Sequence, residues 1–117
     1  MPFTESDMRK MHRILSIFRT IAPTIPVQVV QTLVLVSMNE GKTLGELATL
    51  AGAQSSTMSR HTLDLSDRNR DGGAGHGLIE RTGDNVDLRV TRFKLSPKGR
   101  AMLDEVAQVL NLKLEGK

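Results

Sequence analysis

Apolar residues recur along the first part of the chain at helical spacing: Met8, Met11, Ile14, Leu15, Phe18 and Ile21. Arg9, Lys10 and Arg13 fall largely on other faces. Thr4-Glu-Ser-Asp7 has the form of a helix start, a Thr N-cap followed three residues later by an acid that can reach back. Pro23 closes the segment, so a first helix is predicted over about 4–22. Thr24-Ile-Pro26 opens a second, with Pro26 expected at the first helical position, where its missing N–H costs nothing. The run Val27–Met38 is ambiguous, because its valines favour a strand. Its length, its Pro start and the Asn39-Glu-Gly41 stop favour a buried helix.

Thr43-Leu-Gly-Glu46 is a second capping box. Leu44, Leu47, Ala48 and Ala51 follow on one apolar face, and Gly52 ends the helix after barely two turns. Another helix starts at Gln54 or Ser55 and runs to about Asp67, with Met58, Thr62 and Leu65 inward. The stretch RNRDGGAGHG (68–77) holds four glycines and no periodicity, which predicts a flexible loop. Strand candidates at 78–82 and 90–95 flank Gly83-Asp-Asn85 and Val86-Asp87, a hairpin tip. Ser96-Pro97 caps a last helix, about 97–114, with Met102, Leu103, Val106, Val109 and Leu110 apolar and the stripe prolonged by Leu112 and Leu114. The expected fold class is therefore mainly α with a small β-hairpin (α+β), as a single domain over 1–117. Its helix-turn-helix covers about 43–67 and its hairpin about 78–95. A hairpin placed directly behind the second helix of such a pair is a wing.

Length and composition narrow this further. The chain's 117 residues suffice for one domain. A hydrophobic share of 38% argues against global disorder. Three Phe and no Trp or Tyr leave the core to aliphatic side chains. The absence of cysteine excludes disulfides, thiolate metal sites and thiol redox sensing. The N-terminal MPFTESDMRKMHR carries charges where a signal peptide needs an apolar run. The longest apolar stretch, 33–36, is far too short to span a bilayer. These features lead to the expectation of a cytoplasmic, nucleoid-associated protein with no membrane partner. The formal charge of +3 is a mild basic excess. Its distribution says more: from Arg60 to Arg100 there are nine Lys or Arg against six Asp or Glu, and most of the basic residues are Arg. Arg bonds two acceptors at once and suits phosphate and guanine.

The most informative segment is Thr43 to Leu65. A helix-turn-helix needs a small residue where the second helix crosses the first, which Ala48 supplies. It needs a turn residue tolerant of positive φ, which is Gly52, and an early apolar anchor, which is Met58. With Met58, Thr62 and Leu65 inward, Ser55, Ser56, Ser59 and Arg60 face outward, and His61, at the margin, is counted with them and Thr57 among the expected DNA contacts. Small hydroxyl residues at a helix start allow close approach to base edges and phosphates. A cap explains only one of Ser55, Ser56, Thr57 and Ser59. Arg60 has the reach for a guanine edge. The hairpin adds Arg81, Arg89, Arg92 and Lys94, suited to tracking a minor groove, with Asp87 placed to orient Arg89. A solvated hairpin of alternating charge would look the same. The partner expected is double-stranded DNA.

The segments TLGELATLAG (43–52), SSTMSRHTLDL (55–65), GLIER (77–81) and DLRVTRFKLSPKGRAML (87–103) resemble the MarR family of winged-helix regulators. The last is the most specific: Asp87-x-Arg89, then a strand, then Leu95-Ser-x-x-Gly99 opening a helix. The resemblance covers about 25–105. It implies a homodimer with intertwined N- and C-terminal helices, a recognition helix from Ser55 in the major groove, and Arg89 in the minor groove. It also implies regulation of transcription, usually repression, at palindromic sites. Many members release DNA on binding a small effector, but no effector site is evident here. Three features depart from the pattern. The eleven residues between Leu65 and Gly77 are far more than the family has there, and could carry Arg68 and Arg70 to DNA as extra contacts. One C-terminal helix stands where two are usual. Gln54 stands where a Ser or Thr usually caps.

Enzymatic readings find no support. His12, His61 and His76 fall on different elements, and no HExxH, GxSxG or phosphate-loop pattern occurs. No cofactor or metal site is expected. The alternatives from other classes are a winged-helix protein-interaction module, such as an antirepressor or assembly factor, and an architectural or replicative DNA-binding protein.

Overall fold

The computed structural model describes residues 2–67, 74–83 and 90–112. Its elements are α1 (Glu5–Arg19), α2 (Val27–Met38), β1 (Lys42–Thr43), α3 (Leu44–Ala51), α4 (Ser55–Leu65), β2 (Ile79–Gly83), β3 (Thr91–Leu95) and α5 (Pro97–Leu110). Among the described residues, five helices and a small antiparallel sheet make the chain mainly α. It divides into two compact units, one of residues 1–25 with 101–117, the other of residues 26–100. No helix among the described residues is long and apolar enough to cross a membrane.

In the first unit the predicted capping box is present. Thr4 N donates to Asp7 Oδ2 and Asp7 N to Thr4 Oγ1, both at 3.0 Å. These bonds to its charged form hold the Asp7 carboxyl below its ordinary pKa. The helix ends at Arg19, short of the expected 22. Thr20 folds its hydroxyl back onto Ile17 O, and its own N–H also bonds back into the helix, closing the last turn. The apolar stripe of α1 is split. Ile14 and Phe18 are buried, whereas Met8, Met11 and Leu15 remain 44–49% exposed. In the α5 part of this unit Met102 and Val109 are buried and Leu110 is exposed; Leu114 lies outside the described residues.

The second unit packs α2, α3 and α4 with a three-stranded sheet of order β1-β3-β2. Its core is aliphatic around one ring: Leu33 and Val36, Leu47, Met58, Leu65, Leu78, Ile79 and Phe93. The ambiguous valine-rich segment is α2, and its burial, not its propensity, decides that. Pro26 is the N-cap rather than the first helical residue: its ψ of 141° is extended, and its carbonyl accepts from Val29 and Val30 N–H. The hairpin pairs Ile79 with Leu95 through Gly83 with Thr91. Strand β1 was not anticipated; two residues are too short for any alternation to show. It pairs with β3 at Lys42–Phe93 and Thr43–Arg92. Glu40, just before it, accepts from Leu95 N at 2.9 Å and from Arg100 Nη2 at 2.9 and 3.0 Å. The Leu95 N–H, followed by the Arg100 guanidinium, lowers the Glu40 pKa.

The end of the glycine-rich stretch is not the loose loop expected from its composition. Gly75, His76, Gly77 and Leu78 N–H donate to Asp67, Asp64, Ser66 and Leu65 carbonyls at 2.7–3.0 Å. Carbonyls at a helix C-terminus have no partner within the helix. Here the returning chain supplies one to each of the last two residues of α4 and the two beyond it. Leu78 then turns its own carbonyl to Ser96 N at 3.0 Å. Ser96 Oγ donates to Gly77 O at 2.6 Å and accepts from Gly99 N at 3.0 Å, which caps α5.

Candidate nucleic-acid interface

The interface is built on α3, the turn and α4. Thr43 Oγ1 accepts from Glu46 N and Glu46 Oε1 from Thr43 N, so the second capping box also forms. The bond from Thr43 N lowers the Glu46 pKa. Gly52 follows α3 at φ 64° and ψ 32°. An added Cβ would meet nothing there, so the left-handed backbone alone calls for glycine. Ala53 N donates to Ala48 O at 3.0 Å, the six-residue closure of a Schellman turn. Ala48 and Leu47 are buried beneath it.

α4 then starts at Ser55 with Gln54 as N-cap, and no side chain caps it. The N–H groups of its first turn are therefore oriented outward with the positive end of the helix dipole, an arrangement that favours an anion. Met58, Thr62 and Leu65 are buried as the spacing required. Ser55, Ser56 and Arg60 are exposed, and Thr57 and Ser59 are half-buried. Ser59 and Leu63 share a hollow of about 380 Å³ with Gly45 of α3 and Arg81 of β2. The fold thus brings the outward face of α4 beside the exposed Arg81. Leu63 and Gly45 belong to that hollow, although neither stood out in the sequence, since contact between α3, α4 and a strand leaves no mark on spacing within one element.

Two of the expected contacts have partners inside the protein. Arg92 Nη1 donates to Gly41 O at 2.9 Å, tying β3 to the turn before β1. His61 is half-buried, and its Nδ1 lies 3.2 Å from Thr32 Oγ1 on α2. Burial, and then the neighbouring Arg60 charge, push the His61 pKa down. The one signal for this pairing was Thr32 itself, a hydroxyl among the valines and leucines of α2. Arg68, Arg70, Asp87 and Arg89 lie outside the described residues. No group of three or more His, Asp or Glu side chains that could hold a metal occurs among the described residues.

No family model matches the sequence, and no curated protein matches it. Solved structures do. The chain is similar to the transcriptional repressor CouR bound to a 23-mer DNA duplex, at 27% identity and a TM-score of 0.59, covering 88% of this chain and 68% of that one. A MarR-family regulator from Silicibacter pomeroyi is also 27% identical, with a TM-score of 0.55 over 87% of this chain and 64% of its own. The S. aureus MepR–DNA complex matches in fold, at 19% identity and a TM-score of 0.67, covering 89% and 75%. With its helix pair, its wing and its Ser96-x-x-Gly99 helix start, the chain has the winged helix-turn-helix fold of the MarR family of transcriptional regulators.

Proposed function

We propose that this protein binds double-stranded DNA sequence-specifically, as a homodimer, and regulates transcription by repression in the cytoplasm, at the nucleoid. The observation that carries the DNA reading is the first half of α4. Its N-terminus has no side-chain cap, its exposed face is Ser55, Ser56 and Arg60, and Ser59 joins it to Arg81 across one hollow. Short hydroxyl side chains and free backbone N–H groups suit phosphates at close range, while Arg60 reaches a base edge. Ser55, Ser56, Thr57, Ser59 and Arg60 are assigned to the major groove, and Arg81 and Arg89 to the flanking backbone and minor groove. The dimer reading rests on the apolar face of α1 left open by Met8, Met11 and Leu15, with Phe3 and Leu110 also exposed. The reading requires neither a cofactor nor catalysis.

Selection of bound fragments from genomic DNA tests it. Enrichment of a palindromic site, with affinity falling steeply as salt rises, is the expected result. A protein that retains no fragment at low salt does not have this function and fits the interaction-module alternative.

A further inference from the structure

His61 sits on α4 with a polar partner on another element, and the second hydrogen bond of that partner bears on the direction of the contact. A Thr hydroxyl has one hydrogen and two lone pairs. Thr32 Oγ1 gives its hydrogen to Gln28 O, at 2.9 Å, in the turn below. With that hydrogen on Gln28 O, the 3.2 Å contact to His61 Nδ1 takes Nδ1–H as donor and Thr32 Oγ1 as acceptor. A neutral His61 then carries its proton on Nδ1 and leaves Nε2 bare. Its position in the helix agrees: it is half-buried beside Met58 and Thr62, whereas Ser56 and Arg60 are exposed. It lines a groove with Gln28, Gln31 and Leu35 of α2, away from the hollow that holds Ser59 and Arg81.

We propose that His61 is a positioning residue: its Nδ1–H, donated to Thr32, fixes how α4 lies on α2 and thereby aims Ser55, Ser56, Ser59 and Arg60 at DNA. The role rests on the DNA-binding reading above, but the bond itself does not. α2 carries no charged residue from Val27 to Met38, so no ion pair joins it to α4, and the residues buried on the two helices are Val29, Thr32, Leu33 and Val36 on one and Met58, Thr62 and Leu65 on the other. Such packing permits small slides, and a directional bond removes them.

The test has two arms on the full chain. In the first, ring-nitrogen NMR of histidine-labelled protein, with His61 assigned from the His61→Asn spectrum, reads the tautomer at neutral pH. A protonated Nδ1 and bare Nε2, lost in the shape-conserving Thr32→Val, are expected. A proton on Nε2 overturns the proposal. In the second arm, binding is measured to a selected fragment and to random DNA over a salt series. The amide N–H of Asn occupies the place of Nδ1–H, so His61→Asn should keep affinity within about twofold. His61→Leu should lose about threefold to tenfold on the selected fragment, the range of one neutral hydrogen bond. It should lose nothing on random DNA, and the salt slope should not change. A loss of the same size on random DNA as on the selected fragment, in both variants, would mean that His61 meets the DNA backbone itself, and would overturn the proposal. If the parent binds no DNA at all, the functional reading fails, while the tautomer still decides whether the two helices are joined in this way.

Discussion

Gly99→Ala should destabilise this protein although alanine is the better helix former. Gly99 lies in the first turn of α5, buried against the chain that leaves α4. A Cβ built there would sit 2.0 Å from Leu78 O and 3.0 Å from Leu78 C. No side chain can swing aside, because the obstacle is backbone. The Leu78 carbonyl would have to withdraw by more than about 1 Å to reach ordinary contact distance. That carbonyl accepts from Ser96 N at 3.0 Å, and the Leu78 N–H donates to Leu65 O at 2.7 Å. A forced shift in a packed region costs about 1–3 kcal/mol, and weakening the two hydrogen bonds adds about 1 kcal/mol each. The helix propensity of Ala returns up to about 1 kcal/mol. The net loss is about 2–4 kcal/mol, or about 8–16 °C in Tm at about 4 °C per kcal/mol for a chain of this length. Circular-dichroism melts at one fixed protein concentration read it, because the Tm of a protein that assembles depends on concentration. Gly45→Ala is the internal comparison: exposed in α3, with nothing within 4 Å of its added Cβ, it should hold Tm or raise it slightly. A Gly99→Ala protein melting at or above the parent would refute the argument that close approach, and not conformation, requires glycine here.

Other expectations concern the interface, the assembly and pH. Arg60→Ala should cost about 1–3 kcal/mol on the selected site and relax its sequence preference, whereas Arg81→Ala should weaken binding to all sequences and lower the salt slope by about one; competition titrations separate the two. Met11→Glu with Leu15→Glu should shift the protein to monomer in sedimentation, since both side chains stand on the open face of α1. Burial depresses the His61 pKa below its ordinary 6.5, with Arg60 lowering it further and Asp64 opposing, and α2 contributes no charge. The folded state then binds fewer protons than the unfolded one, so stability is full above about 6.5 and falls as pH drops through that value toward the folded pKa. His61→Asn should flatten that part of a stability–pH profile. The Glu40 pKa is lowered by Leu95 N–H and Arg100, so its contribution is present above its ordinary 4.5 and lost as pH falls through the folded value; Glu40→Gln should remove that acid limb.

Much of this fold was legible because its signals are local. Both capping boxes, the Gly52 turn and the 3.6-residue spacing of Met58, Thr62 and Leu65 are properties of a few consecutive residues, and each appears where it was read. What escaped depends on residues far apart. Strand β1 exists because Phe93 O and Arg92 reach Gly41 from about fifty positions away. The order at Gly75–Gly77 depends on α4 ending with unpaired carbonyls beside it, which no glycine count discloses. On α1, one amphipathic stripe holds both buried and exposed residues, since periodicity marks an apolar face but not how much of it the same chain covers.

The same distinction explains why the start of α5 was a better guide to the fold than the helix pair. Leu95-Ser96-x-x-Gly99 looks like a local cap, but each of its polar and small members is fixed by a distant element. Ser96 must both donate and accept, to Gly77 O and from Gly99 N, which a hydroxyl does and an apolar residue of similar size does not. Gly99 must lack a Cβ because Leu78 O lies across it. Leu78 is held in turn by Leu65, the last residue of α4. A motif of five residues therefore encodes the meeting of the end of α4, the chain entering β2 and the first turn of α5 at one point. The helix pair encodes only its own turn. Spacing constrained by three elements at once tolerates few substitutions, and for that physical reason it identifies an architecture where a lone Ala-x-x-x-Gly turn does not.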